Sequence, residues 1–166
     1  MMINLKNRKY EDIKDYDAIY IGGGNTYYLL NEIKSSHFDK LLKKYLKNGG
    51  LIYGGSAGTI IFGMNIQTAS IGNCSDTNHV KLKKFNGLNL VNNYSIHCHY
   101  RKSDDCELFK YVKKHHNKVI ALTKETGILI KDKKISVIGS KKAFVFGKKK
   151  KIILENQLKD FVFNYS

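Results

Sequence analysis

Apolar residues along this chain fall into short unbroken runs, separated by segments in which they recur every three or four positions, so strands and helices are predicted in alternation. Asp17-Ala18-Ile19-Tyr20-Ile21 is a continuous run bounded by charge and glycine, as in a buried parallel strand. Gly22-Gly23-Gly24 closes it, and Asn25 or Thr26 is placed to cap a helix that begins with Tyr27-Tyr28-Leu29-Leu30. Phe38 to Leu46 puts apolar residues at helical spacing with lysines on the wet face, and Asn48-Gly49-Gly50 stops it. Leu51-Ile52-Tyr53 reads as the next strand, Gly54 to Gly58 as a sharp turn, and Thr59-Ile60-Ile61 as the helix after it.

Residues 65 to 93 are irregular and polar, a loop with short strands at the rim of a site. Tyr94 to Tyr100 alternates like a strand, which would turn His97 and His99 to one side and Ile96 and Cys98 to the other. Asp104 to Lys114 reads as a helix and Val119-Ile120-Ala121-Leu122 as another buried strand. Gly127 to Lys131, Ile135 to Ile138, Ala143 to Phe146 and Ile152 to Leu154 then predict short antiparallel strands joined by charged turns, and Ile3 to Leu5 a short strand at the start. The expected fold is α/β: a mostly parallel sheet with helices on both faces and antiparallel strands toward the C-terminus. With no repeat, no linker and no proline, residues 1–166 read as a single domain, long enough for a core of its own.

The glycine-flanked serine carries the chemistry. Gly54-Gly55-Ser56-Ala57-Gly58 fits G-x-S-x-G between an apolar strand and a helix, the setting in which a strained turn holds a serine hydroxyl clear of the sheet. The first amides of the following helix then face any oxyanion beside Ser56. Such a serine needs a base, and His79, His97, His99, His115 and His116 all follow it. His115 and His116 adjoin Lys113 and Lys114 at a helix end, a poor place for a buried base. His99 closes a predicted strand, and Glu125 follows the next one. The order Ser56, His99, Glu125 is not that of an ordinary α/β-hydrolase.

Charge and cysteines narrow the alternatives. The net charge of +15 invites nucleic acid, but only Arg8 and Arg101 of the 29 basic residues are arginines, so nothing beyond nonspecific attraction is expected. Cys74, Cys98 and Cys106 form no C-x-x-C pair, and no apolar run is long enough for a membrane helix or a signal peptide. A cytoplasmic location with reduced thiols follows. A zinc site would need His97 and His99 with Cys74 or His79, and nothing fixes further ligands, so no metal or cofactor is expected.

Taken together, Ile19 to Thr26 with its triple glycine, Gly54 to Gly58, Ile96 to Tyr100 and Val119 to Leu122 resemble the aspartyl dipeptidase or peptidase E family of serine peptidases. That family is similar in fold to class I glutamine amidotransferases. The resemblance spans about Asp12 to Phe146. It implies Ser56 as nucleophile, His99 as base, an oxyanion hole from the amides of Gly24 and Ala57 with Asn25 beside it at the substrate, and hydrolysis of small peptides with an N-terminal aspartate through an acyl-enzyme. The family's acid lies in a Leu-Pro-Glu type turn; here the turn reads Leu122-Thr123-Lys124-Glu125, so Glu125 serves if the turn slides by one residue. Family members also begin with further strand-helix units, so the chain reads as a shortened member, with a homodimer as one way to cover the exposed edge. Lys124 and the shortened start favour the alternative, a degenerate relative that binds a peptide or partner without turnover.

Overall fold

The computed structural model describes residues 5–131, 134–148 and 150–154, and the backbone of 161–162. Of the strand expected at Ile3 to Leu5 only Leu5 lies among them; it is not in a strand and packs on the core. β1 (Ala18–Ile21) and β2 (Leu51–Gly54) pair in parallel, Ala18 opposite Leu51 through Ile21 opposite Gly54. Between them run α1 (Thr26–Ser35) and α2 (Phe38–Lys47), separated by His37 in the left-handed conformation. Leu30 and Ile33 of α1 and Leu42 and Tyr45 of α2 are buried in one core with Ile19 and Ile21.

That core covers one face of the pair only. The alternate positions Tyr20 and Tyr53 stack with ring centroids 4.5 Å apart and are 56% and 55% exposed. The expectation of a buried strand therefore holds for half of β1, Ile19 and Ile21, while Ala18 and Tyr20 are exposed.

After the one-turn α3 (Ala57–Ile60) the chain runs through residues 65 to 93 with a single 3-10 turn at Gln67–Ser70 and one bridge, Asn65 to Asn86. This segment is more than a rim, since Ile66, Ala69, Leu88 and Val91 are core residues. β3 (Ser95–His97) leads through α4 (Asp105–His115) to β4 (Val119–Leu122), its parallel partner. Next come β5 (Thr126–Lys131), β6 (Lys134–Gly139), β7 (Ala143–Phe146) and β8 (Lys151–Leu154), and β6 also pairs with β9 (Phe161–Val162).

The described strands make three small sheets, β1-β2, β3-β4-β7-β8 and β5-β6-β9, rather than one mostly parallel sheet. Connection length accounts for part of the difference: parallel pairing needs a crossover of a dozen or more residues, available at α1–α2 and at α4, whereas the two residues between β5 and β6 and the four between β7 and β8 permit only antiparallel neighbours; β4 and β7 pair antiparallel across the intervening β5-β6 hairpin. The fold is α/β. Phe62 and Cys98 pack against both the β1-β2 core and the β3-β4 core, which joins the two layers beside Ser56. No helix among the described residues is long and apolar enough to cross a membrane.

Candidate active site

Ser56 follows β2 by two residues and has φ 51°, ψ −113°, a conformation that non-glycine residues avoid and that only surrounding packing sustains. The packing is visible at its two glycines. A Cβ on Gly58 would stand 2.0 Å from the Ile21 carbonyl oxygen, and one on Gly54 would stand 2.5 Å from the Gly58 carbonyl carbon. Both positions must be glycine for β1, β2 and α3 to approach this closely. The turn is stitched by the Gly55 amide donating to Ile21 at 3.0 Å and by Thr59 Oγ1 donating to the Gly54 carbonyl at 2.6 Å.

With four residues, α3 is too short for a developed macrodipole, so the expected anion preference reduces to individual amides. The Ala57 amide opens the helix, where no intrahelical acceptor exists. The triple-glycine loop lies against the serine: a Cβ on Gly23 would be 3.4 Å from Ser56 Cβ, and Gly24, at φ 125°, follows it.

β3 ends at His97, and His99 turns out of strand geometry at φ 59°, so strand alternation no longer relates the two rings. His99 Nε2 is 2.8 Å from Ser56 Oγ. His97 is buried elsewhere, with Nδ1 3.2 Å from the Thr68 carbonyl and Nε2 3.2 Å from the Asp104 carboxylate. Both of its nitrogens are committed, which removes it from any zinc set. Among the described residues no group of three or more His, Cys, Asp or Glu is placed to hold a metal ion. Burial pushes the Cys98 thiol up to about 12, leaving it a packed, unreactive side chain.

The structure does not bring Glu125 to His99. Its carboxylate is exposed and accepts from Ser140 Oγ at 2.9 Å, because the turn after β4 directs it onto the β5-β6 hairpin. His99 Nδ1 is buried and unpartnered among the described residues. Burial first, then the charges of Lys124 and His97, hold the His99 imidazole below its ordinary value, and Asp76 opposes them. Asp76 lies in the irregular segment 65 to 93. Its Oδ2 accepts the Thr26 amide at 2.8 Å and its own amide donates to Ala69 at 2.7 Å. The sequence marks Asp76 only as the one charge between Ile71 and Asn78; that it meets the start of α1 is seen in the fold alone.

Asn25, expected at the substrate, has other partners. Its Oδ1 accepts the Tyr28 amide at 3.0 Å as the cap of α1, and its Nδ2 donates to the Thr77 carbonyl at 2.9 Å. It ties the Asp76 loop to the glycine loop. In front of Ser56 and His99 lies a cleft of about 680 Å³, walled by β2, Phe62, β4 and the β5-β6 hairpin.

A serine on a strained turn after a parallel strand, within hydrogen-bond reach of a histidine and beside free amides, has the parts of an acyl-transfer hydrolase. Residues 1–138 match Peptidase family S51, and the chain belongs to that family. It is 29% identical over 143 residues to peptidase E of Shewanella denitrificans, covering 81% of this chain and 59% of that protein. An uncharacterized peptidase of Listeria monocytogenes is 31% identical over 127 residues, 74% of this chain and 60% of the relative. The chain thus spans about three fifths of the length of these curated relatives. The crystal structure of a peptidase from an acI-B1 Actinobacterium aligns with a TM-score of 0.68 over 96% of this chain and 65% of that one, at 17% identity, a likeness of fold.

Proposed function

We propose that this chain is a serine-type peptidase that cleaves small peptides, dipeptides with an N-terminal aspartate in the first instance, through an acyl-enzyme on Ser56. The observation that carries the reading is the 2.8 Å contact between Ser56 Oγ and His99 Nε2, made by a serine in strained backbone geometry. In this reading the Ser56 hydroxyl passes its proton to His99 Nε2 as Oγ attacks the scissile carbonyl. The amides of Gly24 and Ala57 receive the oxyanion, and the imidazolium protonates the leaving amine. Water then enters by the reverse route and frees the acid.

Asp76 takes the role first given to Glu125, since it is the carboxylate whose charge favours protonated His99. Its hydrogen bond to Thr26 engages Oδ2, leaving Oδ1 for the buried His99 Nδ1. Hydrogen bonds of this kind are often long before substrate arrives. The relation to class I glutamine amidotransferases in sheet arrangement belongs to the same proposal, as does a soluble, cytoplasmic setting.

The test is hydrolysis of Asp-Leu and other Asp-X dipeptides by the wild type and by Ser56→Ala, His99→Ala, Asp76→Asn and Glu125→Gln. Ser56→Ala and His99→Ala are expected to lose roughly 10³-fold or more in kcat, and Asp76→Asn about 10²-fold to 10⁴-fold. Glu125→Gln is expected to keep wild-type rates. Equal rates for wild type and Ser56→Ala would end the hydrolase reading and leave a peptide-binding module.

A further inference from the structure

The cleft in front of Ser56 carries one charge to which hydrolysis alone assigns no role. Its walls are apolar, with Leu51 and Tyr53 from β2, Phe62, Leu122, and Ile128 and Ile130 from β5. Lys124 is the one lysine, arginine, aspartate or glutamate among the described residues that line it. No ion pair engages Lys124 among the described residues, and the carboxylate of adjacent Glu125 is turned to Ser140. Its charge nevertheless reaches the reacting atoms, since it is one of the causes that lower His99.

An apolar wall with a single cation at its edge selects a ligand of matching layout: an apolar side chain with one negative group close by. A peptide's C-terminal residue has this layout, with side chain and carboxylate on the same α-carbon. We propose that Lys124 is the specificity-determining cation of this cleft, and that it reads the free C-terminal carboxylate of a small peptide whose last residue is apolar. Its place as a substrate selector rests on the reading of Ser56 as nucleophile; the binding step itself does not. A longer peptide continuing past this residue has an uncharged amide where the α-carboxylate would meet Lys124, so the arrangement favours short substrates over internal cleavage. The lysine is exposed, so the pairing is modest and sets preference more than total affinity.

The experiment titrates the full chain carrying Ser56→Ala, which cannot turn over, with N-acetyl-leucine and N-acetyl-leucinamide by calorimetry at low ionic strength. The acid is expected to bind about three- to fivefold more tightly than the amide, and N-acetyl-glycine more weakly than N-acetyl-leucine. Adding Lys124→Gln is expected to erase the preference for the acid. Adding Lys113→Gln, which removes the same charge from the exposed face of α4, is expected to keep it. A preference that survives Lys124→Gln, equal binding of acid and amide, no binding of either, or a second copy of the chain filling the cleft in sedimentation would each overturn the proposal. Loss of the nucleophile reading is seen separately, as hydrolysis indifferent to Ser56→Ala, and leaves the charge preference standing.

Discussion

At the scale of single residues, the pH dependence of turnover follows from what surrounds His99. A base at His99, as proposed, would work in its neutral form, and burial, Lys124 and His97 all favour that form against the pull of Asp76. In the proposed mechanism kcat/KM therefore rises with pH through a midpoint below the ordinary histidine value of 6.5. Lys124→Gln removes a lowering cause and moves that midpoint up, whereas Asp76→Asn removes the raising one and moves it down. A pH-rate profile of the three proteins checks the signs, and a midpoint that shifts in neither variant would remove both groups from the neighbourhood of the base. Ser56 and His99 were legible in the sequence because each ends an apolar run beside a telling pattern. Asp76 was not, because a carboxylate in a polar loop looks like any solvated charge until α1 and the loop are folded together.

At the scale of elements, two junctions hold the site in place. The first is the contact of α3 with the end of β1, where Gly58→Ala would drive a methyl group into the Ile21 carbonyl 2.0 Å away. Backbone on both sides leaves little room to yield, so a loss of about 1–3 kcal/mol in denaturant unfolding is expected. A neutral outcome would mean that α3 can slide. The second junction joins β3 to the start of α4 through the buried His97 and Asp104 pair.

Burial pushes the Asp104 carboxyl up, but the Arg101 amide, His97 and the Ser103 hydroxyl together hold it below the usual carboxylate value. A carboxyl lowered by folding adds stability that is fully present above its unfolded value and is lost as pH falls through the folded one. Unfolding measured between about pH 5 and pH 2 should show this acid limb in the wild type. Asp104→Asn should flatten it and cost about 1–3 kcal/mol at neutral pH. An unchanged acid limb in that variant would place the titrating group elsewhere.

At the scale of the whole molecule, the dominant quantity is the charge of +15. Self-repulsion among spread lysines opposes the compact state, and salt screens it: the Debye length falls from about 30 Å at 0.01 M to about 8 Å at 0.15 M. The melting temperature is therefore expected to rise over that range of sodium chloride, and any retention on DNA to disappear. A melting temperature that falls would point to stabilising pairs such as Lys151 with Asp105, 2.9 Å apart and flanked by the Phe144 ring, as the larger effect. The exposed face of β1 and β2 is also a property at this scale. No single strand reveals it, since it depends on which layers the rest of the fold supplies.

By itself the sequence indicated most of the elements and singled out Ser56 and His99, which the fold brings together. Apolar periodicity and glycine spacing act over a few residues, and they were enough to place β1, α2, the turn at Ser56 and the strand leading to His99. Only the tertiary structure decided that Glu125 turns to Ser140 and Asp76 to Thr26, that Asn25 serves as a cap, that the described strands divide into three sheets, and that Lys124 is the one charged lysine, arginine or carboxylate among the described residues lining the cleft. Each of these is a contact between segments distant along the chain, and its energy depends on burial and approach distances that local pattern does not encode.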